Sequence, residues 1–179
     1  MRWLVFFALL VPSLATAQER YSKYYNGSFW DVSARAGVNN DSTYAFDVGL
    51  RQSFPMLLGD TRLSFRQDRF EPDALSQAHV GFGLHPLYVL LLGSDWISYV
   101  AASFYVEVGG GVGFADGPHP LWTLGTGLDI PLYDPDVGMA PWLNLLYRYE
   151  WTTARLGGQD LDRHTGFLGL AWRVNGLLW

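Results

Sequence analysis

Four histidines and a large set of charges are the residues of this chain that could do chemistry. Nucleophilic hydrolysis needs a Ser, a His base and a carboxylate that orients the base. His79 and His85 share one parity of a single alternating segment, ~20 Å apart at the rise of a strand, and both are placed to hydrogen-bond inside a fold. His119 and His164 fall at loop or strand-end positions. The candidate catalytic bases are therefore His79, His85 and His164. No two histidines have the close spacing of metal ligands and there is no cysteine, so neither a metal nor a cofactor is expected.

The charges follow a stricter pattern. Asp31, Asp47, Glu107, Asp129 and Glu150 lie on the polar parity of alternating segments, with Arg35, Arg51, Arg62, Arg66, Arg148 and Arg173. In a narrow, poorly hydrated space they should pair, because an unpaired buried charge is costly and a guanidinium makes forked contacts with carboxylates. Whether they share such a space depends on the elements that carry them.

Those elements read as eight strands. The clearest, Ser103 to Phe114, alternates Phe104, Val106, Val108, Val112 and Phe114 with Tyr105, Glu107 and glycines. Before it come Phe29 to Val38, Thr43 to Phe54, a weak segment Thr61 to Gln67 running toward polar residues 68–77, and Ala78 to about Leu92. Pro86 lies in the apolar parity of the last of these and should bend it or mark a bulge. After it come strands carrying Trp122 to Leu132, Leu143 to Thr152 and Phe167 to Val174. Turn chemistry separates them at Asn39–Ser42, Pro55 with Gly59-Asp60, Gly93–Asp95, Asp116–Pro118 and Tyr133–Asp136, and Gly157–Asp162 reads as a polar loop.

Ahead of the strands, Arg2, the apolar run Trp3–Val11 and Ala15-Thr16-Ala17 have the form of a secretory signal peptide over residues 1–17. The run is shorter than the ~20 residues of a spanning helix. Residues 18–28 are then an N-terminal periplasmic segment, 29–174 the strand domain and 175–179 a tail, one domain in 162 residues. Net charge is −5, or −6 without Arg2, and no Lys/Arg run exists, which disfavours nucleic-acid binding. Aromatics make up 16%, glycines number 20, and Lys23 is the single lysine.

Placing the two parities decides the fold class. Across the segments the apolar parity carries no Asp, Glu, Lys or Arg, while the other collects all the charges named above and ten glycines. A soluble sandwich would expose that charged face, yet glycine weakens an exposed strand. A lipocalin-like barrel would turn the apolar parity inward around a ligand. An eight-stranded antiparallel up-and-down transmembrane β-barrel accounts for both faces. Its lipid side must be uncharged, since a mid-membrane Arg or Lys costs about 2–4 kcal/mol. Its lumen is wide enough only for side chains, so glycine makes room for a neighbouring Arg, Tyr or Trp. The eleven charged residues then form a lumen network that plugs the barrel. The expected place is the outer membrane of a Gram-negative bacterium, and the expected partners are outer-membrane lipids.

The stretch FYVEVGGGVGFADG, with HVGFGLHPLYVLL and GSDW before it and LWTLGTGLDIPL and LNLLYRYEW after it, resembles the lipid A deacylase (PagL-type) barrels over roughly Tyr44 to Val174. The resemblance implies an eight-stranded outer-membrane barrel related to an acyl hydrolase of lipopolysaccharide. That family's active site is a His-x-Ser pair followed by a Glu about a dozen residues later. Arg148 and Glu150 stand at the His and Ser positions here, the Glu falls near Asp160 or Asp162, and no histidine is followed two residues later by Ser. The resemblance thus supports the fold and not the activity. Two functions follow: a structural or lipid-interacting plugged barrel, or a lipid A-modifying hydrolase with a relocated Ser/His site. With both termini periplasmic the outward loops are short, and Arg69, Phe70, Glu71, Arg155 and Arg163 are the residues to contact lipopolysaccharide phosphates or sugars.

Overall fold

The computed structural model describes residues 29–54, 59–69, 74–87, 96–114, 117–132, 139–153, 155–156, 159–160 and 162–175. Eight long strands are β1 (Phe29–Asn39), β2 (Tyr44–Phe54), β3 (Gly59–Arg69), β4 (Ala74–Leu84), β5 (Tyr105–Phe114), β6 (Pro118–Pro131), β7 (Met139–Thr152) and β10 (Arg163–Asn175). They pair antiparallel in chain order, and β10 closes on β1 to complete a barrel. Paired residues lead from Trp30 through Gln52, Thr61, Phe82, Val108, Leu124, Tyr149 and His164. The circuit returns at Asn40, the residue after β1, whose N–H donates to His164 O, ten residues up from its start. That stagger tilts the strands by about 40° and leaves an interior that side chains fill.

Alternation sets the two faces throughout. Val32, Phe46, Leu63, Val80, Val108, Leu124 and Leu168 are exposed on the outer wall, while Asp31, Asp47, Arg62, His79, Glu107, Thr123 and Phe167, each one residue away, are buried. The apolar parity therefore faces out, which removes the lipocalin-like arrangement. Among the described residues of these strands, outward-facing charge is confined to Arg69, the last residue of β3.

Several boundaries differ from the sequence reading. The weak third segment is a full strand, β3, because Asp60 and Asp68 at its two ends point inward and are clasped by Arg62 and Arg66. Gly59-Asp60 is thus not a turn. β4 begins at Ala74, inside the supposed polar stretch, and ends at Leu84, where Pro86 sits in a turn and not in a bent strand. A short helix α1 (Trp96–Ala102) precedes β5, where the turn signal at Gly93–Asp95 points to a direct passage into the strand. Ser103 ends it, with its N–H and hydroxyl both directed at Val100 O. Arg155–Leu156 (β8) and Gln159–Asp160 (β9) form a small ladder, β8 just before and β9 within the segment read as a polar loop. The expected turns at 55–58, 93–95 and 133–136, the signal peptide, residues 18–28 and 176–179 lie outside the described residues.

Candidate functional site

The strands bring fourteen charged side chains into the lumen, each buried. Eleven are those of the sequence pattern. Three more, Asp60, Asp68 and Arg163, bring the described lumen to seven carboxylates and seven arginines. They fall into three tiers, the first two of them joined by Arg62 on Glu107.

At the end holding both strand termini, Arg51 donates to Asp31 through Nε at 2.8 Å and also through Nη2. Arg173 reaches Asp31 at 3.5 Å and Asp129 at 2.9 Å, and Arg51 lies 2.7 Å from Asp129. Arg62 forks onto Asp60 at 2.7 and 2.9 Å while its guanidinium lies 3.6 Å from the Tyr105 ring centroid. His85, just past β4, lies 3.0 Å from Asp60 through Nε2.

In the middle, Glu107 accepts from Arg62 at 3.1 Å and from Arg148 at 2.9 Å. Asp47 takes Arg35 at 2.9 and 2.5 Å and Arg148 at 3.4 Å. Toward the other end, Arg66 holds Asp68 at 2.9 and 2.7 Å and Glu150 at 2.6 Å, and donates to Asn39 and Thr165. Arg163 reaches Asp68 at 3.0 Å. His79 sits beside this tier, 3.1 Å from Gln77 Oε1 and 3.7 Å from Glu150 Oε1.

Small residues leave the room these groups fill. A Cβ on Gly49 would lie 2.9 Å from Arg35 Nη2, and one on Gly83 would lie 2.5 Å from Asp60 Oδ1. A cavity bordered by Asp31, Ser33, Arg35, Arg51, Arg62 and Asn144 has about 10 Å³, the space of one water.

The candidate bases are separated. His79 and His85 lie in the lumen at different tiers, and His164 is exposed on the outer wall, its Nδ1 2.5 Å from the Tyr147 hydroxyl and its ring stacked 4.5 Å from Tyr149. Their side-chain hydrogen-bond partners are Gln77, Asp60 and Tyr147, none of them Ser or Thr. Arg148 and Glu150, at the positions of the family's His and Ser, both point into the lumen and bond across it, to Glu107, Asp47 and Arg66, instead of to each other. Asp162 is exposed and accepts from Thr152 N–H at 3.1 Å. Arg163 is turned inward and so is removed from the surface residues expected to meet lipopolysaccharide, whereas Arg69 is exposed. Phe70 and Glu71, and the side chain of Arg155, lie outside the described set.

An apolar wall whose described outward charge is confined to Arg69 at a strand end, around a charged interior in an even-stranded antiparallel barrel, is the build required by the outer membrane. The chain is an outer-membrane β-barrel. It matches no protein-family model and no curated protein. Among solved structures it is similar to Neisserial surface protein A, at 9% identity over 83% of this chain and 96% of that chain with a TM-score of 0.47. It is also similar to the Yersinia pestis outer membrane protein Ail, at 15% identity over 82% and 99% with a TM-score of 0.47. The outer membrane enzyme PagL aligns at 13% identity over 80% and 98% with a TM-score of 0.42. These likenesses lie in the barrel and carry nothing about activity.

Proposed function

We propose that this chain is a plugged, non-conducting barrel of a Gram-negative outer membrane, with a structural or lipid-interacting role and without acyl hydrolase chemistry. The observation that carries the reading is a lumen whose described residues include seven carboxylates and seven arginines, paired within three tiers. An ion entering would have to separate buried pairs, each break costing about 3–5 kcal/mol. The three candidate bases add support, since none is hydrogen-bonded to a Ser or Thr hydroxyl that it could activate. Single-channel recording in planar bilayers tests the plug: no current is expected, and discrete conductance steps would overturn it. Mass spectrometry of lipid A with and without expression tests the chemistry: identical acylation is expected, and loss of one acyl chain would restore the hydrolase alternative with lipid A as substrate.

A further inference from the structure

The outer wall carries a compact polar patch over β2, β3 and β4. Arg69, the outward charge at the end of β3, pairs across the ladder with Tyr44 of β2, and two residues below it Gln67 pairs with Ser76 of β4. All four side chains stand on the outward parity. None of the four makes a hydrogen bond or an ion pair among the described residues. Other polar groups of the wall are taken: Thr126 Oγ1 donates to Tyr105 O at 3.0 Å, and the Tyr147 hydroxyl lies 2.5 Å from His164 Nδ1. Phe46 and Phe114 flank the patch at the level of Gln67 and Ser76, and Phe65 lies below it.

We infer that this patch binds the phosphate-bearing headgroup of lipopolysaccharide, an inference that rests on the lipid-interacting barrel proposed above. Charge complementarity calls for an anion. Arg69 is the outward charge of the described strands and has no carboxylate partner among the described residues, and a guanidinium takes a phosphate through two parallel N–H donors. Depth calls for a lipid. Gln67 lies about 7 Å farther down β3 than Arg69, which a tilt of about 40° reduces to about 5 Å toward the bilayer centre. There an unpaired amide or hydroxyl is costly, and a free anion held at Arg69 would leave both unsatisfied. A lipid with its phosphate against Arg69 and Tyr44 carries its acyl carbonyls and hydroxyls below it, within reach of the Gln67 amide and the Ser76 hydroxyl. The leaflet follows from the end of the barrel. β1 starts at Phe29 and β10 finishes at Asn175, whereas Tyr44 begins β2 and Arg69 finishes β3 at the opposite strand ends. With the termini periplasmic, the patch meets the outer leaflet, whose lipid is lipopolysaccharide.

The test is co-purification of lipid with the folded barrel from vesicles holding equal amounts of phosphatidylglycerol and lipopolysaccharide, quantified by mass spectrometry. A parallel set of vesicles holds lipopolysaccharide stripped of its phosphates by hydrofluoric acid. Wild type should prefer native lipopolysaccharide to phosphatidylglycerol and should retain the stripped form about tenfold less, the scale of one charge-assisted contact. Arg69→Gln should retain both forms equally, at the lower level. Gln67→Leu/Ser76→Ala should weaken both forms alike, by about fivefold, because it removes contacts below the phosphate. These side chains point away from the lumen, and heat-modifiable migration on gels establishes that each variant is a closed barrel. Wild type that retains stripped lipopolysaccharide or phosphatidylglycerol as well as the native form would overturn the site without any variant, and so would an Arg69→Gln barrel that still discriminates between the two forms. Either result leaves the lipid-interacting, plugged barrel standing. Wild type that retains no lipid at all would overturn the lipid-interacting reading together with the site.

Discussion

Glu107 is the carboxylate through which the middle of the lumen is joined, so Glu107→Leu should be among the most damaging single changes in the barrel. Removing it leaves Arg62 still forked on Asp60 at 2.7 and 2.9 Å. Arg148 fares worse, keeping only Asp47 at 3.4 Å, a carboxylate that Arg35 already holds at 2.9 and 2.5 Å. The described lumen would then carry seven arginines against six acids. Leaving one buried charge uncompensated costs about 3–5 kcal/mol, a shift of about 1–2 M in a urea midpoint. In the double variant Glu107→Leu/Arg148→Leu the numbers are equal again and Asp47 keeps Arg35. Replacing a whole buried pair by apolar groups is often neutral, so the double variant should be more stable than Glu107→Leu alone. The assay is equilibrium urea unfolding in lipid vesicles, followed by tryptophan fluorescence and by heat-modifiable migration. A double variant that falls as far as the sum of the two single variants would refute the pairing argument, as would a Glu107→Leu midpoint equal to that of wild type.

Three further outcomes follow from other parts of the molecule. Val80 is 62% exposed on the outer wall, and Val80→Arg should cost about 2–4 kcal/mol in a bilayer; an unchanged midpoint in vesicles would mean that this wall does not face lipid. A Cβ on Gly111 would collide with the backbone carbonyl of Ala78 across the β4–β5 ladder, whereas one on Gly166 meets nothing within 4 Å. Gly111→Ala should therefore reduce the yield of folded barrel on gels while Gly166→Ala leaves it unchanged, and equal yields would refute the close approach. In the β1–β2 turn, partial burial works to raise the Asp41 carboxyl, but the Thr43 hydroxyl at 2.6 Å and the Thr43 N–H at 3.0 Å hold it below its usual value. Its folded value lies below its unfolded one, so this contribution is present above about pH 4 and is lost as pH falls further. Asp41→Asn should flatten that dependence, and a wild-type to variant difference that stays constant across pH 2 to 5 would exclude it.

The barrel was legible because period-two alternation, repeated eight times with charge on one parity alone, leaves few other folds. Its inside was legible for the same reason: Glu107 and Arg148 share a parity whose other members include Gly109 and Gly125, and the structure puts Glu107 between Arg62 and Arg148. Other features gave weaker signals. α1 is seven residues long, too short for a helical period to declare itself between a strand and a glycine-rich strand. The direction of Arg163 is not legible from composition because one residue of register separates a lumen side chain from a surface one; here Arg163 pairs with Glu150 in the ladder and faces inward, and His164 faces out.

The misplaced ends of β3 have a different cause, and they suggest a rule. In a soluble protein, Gly59-Asp60 and a run such as Asp68 to Gln77 mark turns, because polar residues at strand ends meet water. In a barrel with a charged interior, polar residues continue inward to the ends of the strands, so composition no longer separates strand from loop. Charge does separate them. Five acids against six arginines is an imbalance that buried side chains do not tolerate, since the unmatched guanidinium would stand alone. Extending β3 to Asp60 and Asp68, and β10 to Arg163, adds two acids and one arginine and brings the count among the described residues to seven of each. Each added residue then has a partner within 3.0 Å: Arg62 for Asp60, Arg66 for Asp68, and Asp68 for Arg163. Electroneutrality of the interior therefore marks the strand ends that alternation and turn chemistry leave ambiguous.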